Sequence, residues 1–337
     1  MRNKALVVLA ISVLFILGGC GGDMQIQSIA SVNKYPEKPI TLIVPFNAGG
    51  GLDLTARSLE KVSLKYLGQP LVVINKPGGA GALGWNEVAA SSPDGYTLGI
   101  TSIDVLLLSQ YGTAKYNYLT ALSPVVQITA TPVVLAVQAD KPWKTLNDLV
   151  AYAKQNPGKI KFGHSGTGSF PHLLGEMLGQ AAQIQLEQVP FSGGSESVAA
   201  LLGGHIEVNF TSPTAVSEHV KNGKLRVLAI TGIKRLSDPV FASVPTFKEQ
   251  GLDITLTNWY GIAIPKETPA KVKSKLAEGL KATIADPEVA KNLAAIGVAV
   301  EYLSPEEFQM KWLADSETLS KTLKETGVLD RIKAQKK

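Results

Sequence analysis

Apolar and polar positions along the chain alternate between two periods. Short apolar or β-branched runs, the pattern of strands buried on both faces, recur at 40–44, 71–75, 97–101, 125–129, 133–137, 159–162, 186–189, 206–210, 225–231 and 259–264. Between them, helical spacing predicts helices over 52–66, 80–91, 145–155, 170–183, 196–202, 213–221, 269–285, 287–296 and 305–326. Thr145 is placed as an N-cap, with Asp148 in the first turn behind it. The last three helices begin with Pro269, Pro287 and Pro305, where a missing N–H costs nothing. Residues 103–115 carry no readable period. Strands alternating with helices predict an α/β architecture with mainly parallel sheets.

In parallel sheets ligands bind beyond the carboxyl ends of the strands, so the strand-to-helix turns are the informative ones. Three are rich in glycine and serine. The first is Pro45, Phe46, Asn47, Ala48, Gly49, Gly50, Gly51, Leu52 and Asp53, where proline ends a strand and three glycines allow positive φ just before a helix. Backbone amides unshielded by a Cβ, at the positive end of a helix dipole, make an anion site. Neither lysine nor arginine lies in that turn, which suits a small anion held by backbone. The second turn is His164, Ser165, Gly166, Thr167, Gly168 and Ser169; the third is Phe191, Ser192, Gly193, Gly194 and Ser195. Turns from two domains would face each other across a cleft.

Composition adds compartment and size. Arg2 and Lys4 precede an unbroken apolar run, 5–17, too short to span a bilayer, which takes about 20 residues. Leu17, Gly18 and Gly19 before Cys20 resemble a bacterial lipobox, so residues 1–19 read as a lipoprotein signal peptide and Cys20 as the lipidated N-terminus. Cys20 is the one cysteine, which excludes a disulfide framework and a cysteine metal site. Residues 20–33 read as a flexible tether. Without Arg2 and Lys4 the balance is 31 basic to 28 acidic residues, too even for a nucleic-acid footprint. The 4 histidines are scattered, with no spacing for a metal.

Two enzyme readings compete with a binding protein. Gly79, Ala80, Gly81, Ala82, Leu83 and Gly84 satisfy the dinucleotide motif, with Asp104 placed like the ribose acid. Lys76, Pro77 and Gly78 make that turn too long. Gly163, His164, Ser165 and Gly166 begin like a nucleophile elbow, but Thr167 stands where a glycine is required, and no spacing selects His172, His205 or His219 as the base. A two-domain solute receptor needs no such chemistry and accounts for lipobox, size, alternation and anion turns together.

Ordered motifs carry a further resemblance. They include Tyr35-Pro36-x-Lys38-Pro39-Ile40, Pro45-Phe46-x-Ala48-Gly49-Gly50-Gly51-x-Asp53 with Arg57, Asn75-x-Pro77-Gly78-Gly79-Ala80-Gly81, and Pro93-Asp94-Gly95-Tyr96-Thr97. Ser165-Gly166-x-Gly168-Ser169-x-x-His172-Leu173, Val189-Pro190-Phe191, Gly223-Lys224-Leu225-Arg226, Val244-Pro245-Thr246 and Trp259-x-Gly261 continue the series. Across 35–330 the chain resembles the substrate-binding receptors of tripartite tricarboxylate transporters, also called Bug receptors. The resemblance implies a type II periplasmic-binding fold with two α/β domains, one of 34–104 and 224–337, the other of 105–223. It implies a monomer without cofactor or catalysis, held by its lipid anchor outside the cytoplasmic membrane of a bacterium. That monomer would close on a small carboxylate (a di- or tricarboxylate, acidic amino acid or aromatic acid) and pass it to membrane permease subunits. Signalling to a sensor kinase is the alternative, and a hydrolase at Ser165 a lesser one. Phe46, Asn47, Ala48, Gly49, Gly50 and Gly51 would hold one carboxylate, with Asp53 bracing the loop and Arg57 in a structural ion pair. Ser165, Gly166, Thr167, Gly168 and Ser169 would close over it, and Asp104, Phe191 and Ser192 would shape the far end. Asn209 and Phe191 depart from the family's aspartate and tyrosine, which leaves a less polar wall for that far end.

Overall fold

A computed structural model describes residues 34–335 apart from Thr113 and Gly297. The expected signal peptide, Cys20 and tether lie outside the described residues. Two sheets of five strands organise the rest. The first has the order β2-β1-β3-β10-β4, built from β1 (Ile40–Val44), β2 (Leu71–Asn75), β3 (Thr97–Ser102), β4 (Leu122–Thr131) and β10 (Asn258–Pro265). The second has the order β7-β6-β8-β5-β9, built from β5 (Val134–Gln138), β6 (Ile160–His164), β7 (Leu186–Pro190), β8 (Val208–Thr211) and β9 (Leu225–Ile230). β1 is buried at all positions but the half-buried Thr41, as its apolar run requires.

The expectation of parallel sheets needs amendment. β1, β2 and β3 are parallel, as are β6, β7 and β8, but β10 and β5 run against their neighbours. These are the strands that follow the two crossings between sheets, Thr131 to Val134 and Ile230 to Asn258. A chain arriving from the other sheet enters at the cleft end, where its parallel neighbours finish, so it must run backwards. Sheet membership therefore changes at those crossings and not at 104/105 and 223/224. Apolar periodicity identifies a strand but not its partner, so it does not assign β4 and β9 to a sheet.

Helices cover the sheets: α1 (Gly51–Leu67), α2 (Ala82–Ala90), α3 (Asp104–Tyr111), α4 (Tyr118–Ala121), α5 (Leu146–Gln155), α6 (Phe170–Ala182), α7 (Gly194–Leu202), α8 (Pro213–Lys221), α9 (Ala270–Ile284), α10 (Pro287–Ala295), α11 (Pro305–Glu325) and α12 (Val328–Gln335). Of these, α3, α4 and α12 lie outside the helices that periodicity predicts. In α3 the run from Val105 to Leu108 is buried throughout, so no polar face exists to betray a helical period. The core of the first sheet is aromatic. Trp259 packs edge-on to Phe308 at 5.0 Å and against Trp312 at 5.4 Å, and its indole N–H donates to Asp315 at 2.8 Å. This fastens α11 to β10 and returns the C-terminal region to the first sheet. The exposed edge of β2 is closed by α1: Leu71 N–H donates to Ser63 Oγ and Val73 N–H to Glu60 Oε1, both at 3.0 Å.

Candidate functional site

A cavity of about 60 Å³ lies where the two sheets present their strand ends. Its wall takes Phe46 from the end of β1, Asp104 from beyond β3, Thr131 and Val133 from the first crossing, Ser165 from beyond β6, and Ser212 from beyond β8. The N-terminal ends of α1, α3, α6, α7 and α8 all contribute to it, through Gly51, Asp104, Pro171, Gly194 and Ser212. Among the described residues no lysine or arginine lines it. An anion there would meet helix dipoles and amides, not a cationic side chain.

The first glycine turn divides its work among its residues. Only Gly49 has positive φ, +80°; Gly50 is an ordinary extended N-cap at φ −80° and ψ 169°. The expectation that all three glycines serve backbone strain is thereby corrected. Gly51 is needed for space, because a Cβ there would lie 2.6 Å from Ser212 Oγ, 2.7 Å from Tyr260 OH and 2.9 Å from Thr214 Oγ1. No side chain caps α1, and the amides of Gly51, Leu52 and Asp53 find no acceptor among the described residues. The Asp53 carboxylate, 1% exposed, accepts from Gly49 N–H at 2.8 Å, Asn75 Nδ2 at 2.9 Å and Arg57 Nε at 3.0 Å. Asp53 thus braces the loop, and Arg57 is engaged in the ion pair.

The second turn is built differently. Gly168 N–H donates to His172 Nδ1 at 2.9 Å, Ser169 N–H to Gly166 C=O at 3.0 Å, Phe170 N–H to Asp104 Oδ1 at 2.6 Å, and His172 N–H to Ser169 Oγ at 3.4 Å. Pro171 has no N–H to give. From Gly168 to His172 every amide is engaged, so only Ser165 to Thr167 keep amides without an acceptor among the described residues. Beneath it the His164 and His172 rings stack at 4.4 Å, both fully buried. Burial first, and then the neighbouring His172, lower the His164 pKa to about 3. No hydrogen bond joins Ser165 to a histidine among the described residues.

The turn that meets the first is the third. Ser195 Oγ donates to Ala48 C=O at 2.9 Å, and a Cβ on Gly193 would come within 3.0 Å of Asn47 N. Glu196 Oε2 accepts from Ser192 N–H at 2.9 Å and lies 3.5 Å from Asn47 Nδ2. Gly166 faces Ala80 instead: a Cβ on Gly166 would lie 3.0 Å from both Cα and N of Ala80. Between those surfaces opens a second cavity of about 620 Å³, lined by Gly79, Leu108, Gly166, Thr167, Phe191 and Ser192 among others. The sequence-predicted residues therefore separate. Phe46, Asn47, Gly50, Gly51, Asp53, Asp104 and Ser165 line the smaller cavity; Gly166, Thr167, Phe191 and Ser192 line the larger. Ala48, Gly49, Gly168 and Ser169 line neither and shape the turns from behind.

Three placements differ from expectation. Asp104 sits with the first glycine turn and not at the far end. Asn209 lines neither of these two cavities; it is buried beneath α7, its Nδ2 donating to Ser197 Oγ at 3.1 Å. The dinucleotide look-alike breaks into a short turn with Ala80 at φ 56°, and its supposed acid, Asp104, belongs to the other cavity. Sequence reasoning misses Thr131, Thr211, Ser212, Asn258 and Tyr260. Ser212 before Pro213 does carry a signal, a strand end followed by a helix start, but without glycine it attracts no notice.

With this geometry in hand, residues 55–327 match the tripartite tricarboxylate transporter family receptor. The chain belongs to that family. It is similar to a relative from Cupriavidus necator described as "UPF0065 protein in gbd 5'region", 35% identical over 279 residues, 83% of this chain and 84% of that one. The structure of the periplasmic binding protein BugD superposes with a TM-score of 0.83 at 31% identity, covering 87% of this chain and 99% of BugD. An R. palustris protein solved with adipate superposes with a TM-score of 0.80 at 27% identity, covering 87% and 98%. The fold is that of the two-domain periplasmic binding proteins, and the family is one of extracytoplasmic solute receptors.

Proposed function

We propose that this receptor closes its two domains on a small organic carboxylate and delivers it to the membrane subunits of a tripartite transporter, tethered outside the cytoplasm through lipidated Cys20. One observation carries the ligand class. Several helices aim their N-termini at a cavity with no basic side chain, and α1 keeps its first-turn amides uncapped. The carboxylate sits against Gly50, Gly51 and Leu52. Ser165 and Gly194 approach from the second sheet, and the remainder of the ligand extends toward Phe191, Ser192 and Leu108. The adipate complex of the R. palustris protein supports a dicarboxylate. The domains hinge at the two crossings between sheets, 131–134 and 230–258. A thermal-shift screen over di- and tricarboxylates, acidic amino acids and aromatic acids tests this reading. A true ligand at 100-fold its dissociation constant should stabilise by about 2.7 kcal/mol. If none of these acids raises the melting temperature while neutral sugars or amines do, the carboxylate reading fails.

A further inference from the structure

Asp104 is the group in the cleft that an anion receptor should avoid. It is 3% exposed, lines the same cavity as Gly50 and Gly51, and has no cationic partner there. Its two oxygens are engaged: Oδ1 accepts from Phe170 N–H and Oδ2 lies 2.6 Å from Ser102 Oγ. The first of these bonds crosses the cleft from α3 to the start of α6. An Oδ2–H can reverse the second bond and donate to the serine hydroxyl, so the site accommodates the protonated acid without loss of a partner.

Among the described residues the surroundings supply no cationic side chain. From β10 comes the Tyr260 phenol, and from α3 itself Tyr111; burial raises both pKa values, and the charge on Asp104 adds to each rise. The other carboxylate in the wall, Asp53, is paired with Arg57. Among elements packed on α3, α2 carries Glu87 paired with Lys76, α4 carries Tyr118 bound to Asn86, and α11 carries the Lys311–Asp315 pair. None of these lines the cavity. His172 of α6 directs Nδ1 to Gly168 and Nε2 toward Glu176, 3.6 Å away. Desolvation accordingly raises the Asp104 pKa. Asp104 and the amide end of α1 line one small cavity, so a ligand carboxylate held there and an ionised Asp104 would repel.

We propose that Asp104 sets the charge selectivity of this receptor: it takes one proton from solvent as the domains close over an anion, so carboxylates without a cationic group are favoured. This inference rests on the carboxylate reading above. A ligand ammonium beside Asp104 would meet a protonated, neutral carboxyl that offers it no charge. Affinity should fall as pH rises from the carboxyl's pKa in the free receptor toward its higher pKa in the complex, at most tenfold per unit.

The test is calorimetric titration of the full chain with malate, adipate and glutamate between roughly pH 6.5 and 8.5, where their carboxylates stay ionised. It is run in buffers of different ionisation enthalpy, so that proton uptake is read directly. Malate or adipate should bind with uptake approaching one proton and weaken about tenfold per unit across part of that range. Asp104→Asn, which keeps an acceptor for Phe170 N–H, should lose the uptake and bind more tightly than wild type at the alkaline end. Ser102→Ala should keep the uptake. Binding without proton uptake, a preference for glutamate abolished by Asp104→Asn, or an Asn variant that retains the pH slope would each overturn the proposal. If no acid binds at any pH, the carboxylate reading falls first and this inference with it.

Discussion

Two turns that read alike in the sequence behave differently in the fold. Asn47 to Gly51 and Ser165 to Ser169 both leave a parallel strand, both carry glycine, and both open a helix. In the first, one buried carboxylate braces the loop from behind and the amides of the next helical turn stay open. In the second, the amides from Gly168 onward are taken by Gly166, Asp104, His172 and Ser169. Its helix is capped where α1 is not. A glycine-rich helix start is an anion site only while its donors lack internal acceptors. The first turn keeps donors open to a ligand; the second is mostly framework, presenting Ser165 to Thr167 on a buried histidine pair.

The sharpest way to break this contrast is to injure each turn and read stability and affinity separately. His172→Ala removes the acceptor for Gly168 N–H and the ring stacked on His164, both fully buried. It should cost about 3 kcal/mol, seen as a lowered denaturation midpoint. If stability holds and only affinity suffers, the second turn is not framework. Gly51→Ala should do the opposite. Its Cβ meets Ser212, Thr214 and Tyr260 within 2.9 Å, so affinity for a screened carboxylate should fall at least ~100-fold, or about 2.7 kcal/mol, with the fold retained.

Acid should find the framework turn next. The His164 pKa is lowered to about 3, against about 6.5 in the unfolded chain, so its contribution is complete above about pH 6.5 and is lost as pH falls toward about 3. By pH 5 the loss should reach about 2 kcal/mol. The melting temperature of His164→Asn should be flatter over that interval than that of wild type; equal slopes would mean that other groups carry the acid sensitivity.

How much of this can be read from the chain follows from what each signal measures. Periodicity reports burial, so β1, α1 and the proline-started helices are legible almost to the residue. α3 is not, because Val105 to Leu108 are buried on every side. Orientation and partnership are long-range properties, which is why the backward course of β5 and β10 and the sheet membership of β4 and β9 emerge only with the fold. The same limit applies to the site. Gly50, Gly51 and Asp53 announce themselves locally, whereas Tyr260 and Asn258 reach the cavity from a strand more than 200 residues further on. The pairing of jaws is misread from sequence for one further reason. The second and third turns each carry two glycines, and engaged amides cannot be counted from composition.

That third turn offers the smallest and most specific test. Ser195 Oγ donates to Ala48 C=O at 2.9 Å, a side-chain hydrogen bond tying the second sheet's α7 directly to the first glycine turn. It joins the two sheets across the cleft, so its net worth, about 1 kcal/mol for an uncharged bond, should enter the closure equilibrium more than the folding equilibrium. Ser195→Ala should weaken carboxylate binding about fivefold and leave the unliganded melting temperature unchanged. Most of that loss should appear as faster dissociation, since opening precedes release. The matching change in the framework turn, Thr167→Ala, removes no cross-cleft bond among the described residues and should speed dissociation less. If the two variants behave alike, the third turn has no special claim to be the opposing jaw, and the first turn's partner must be sought among Ser165, Gly166 and Thr167 after all.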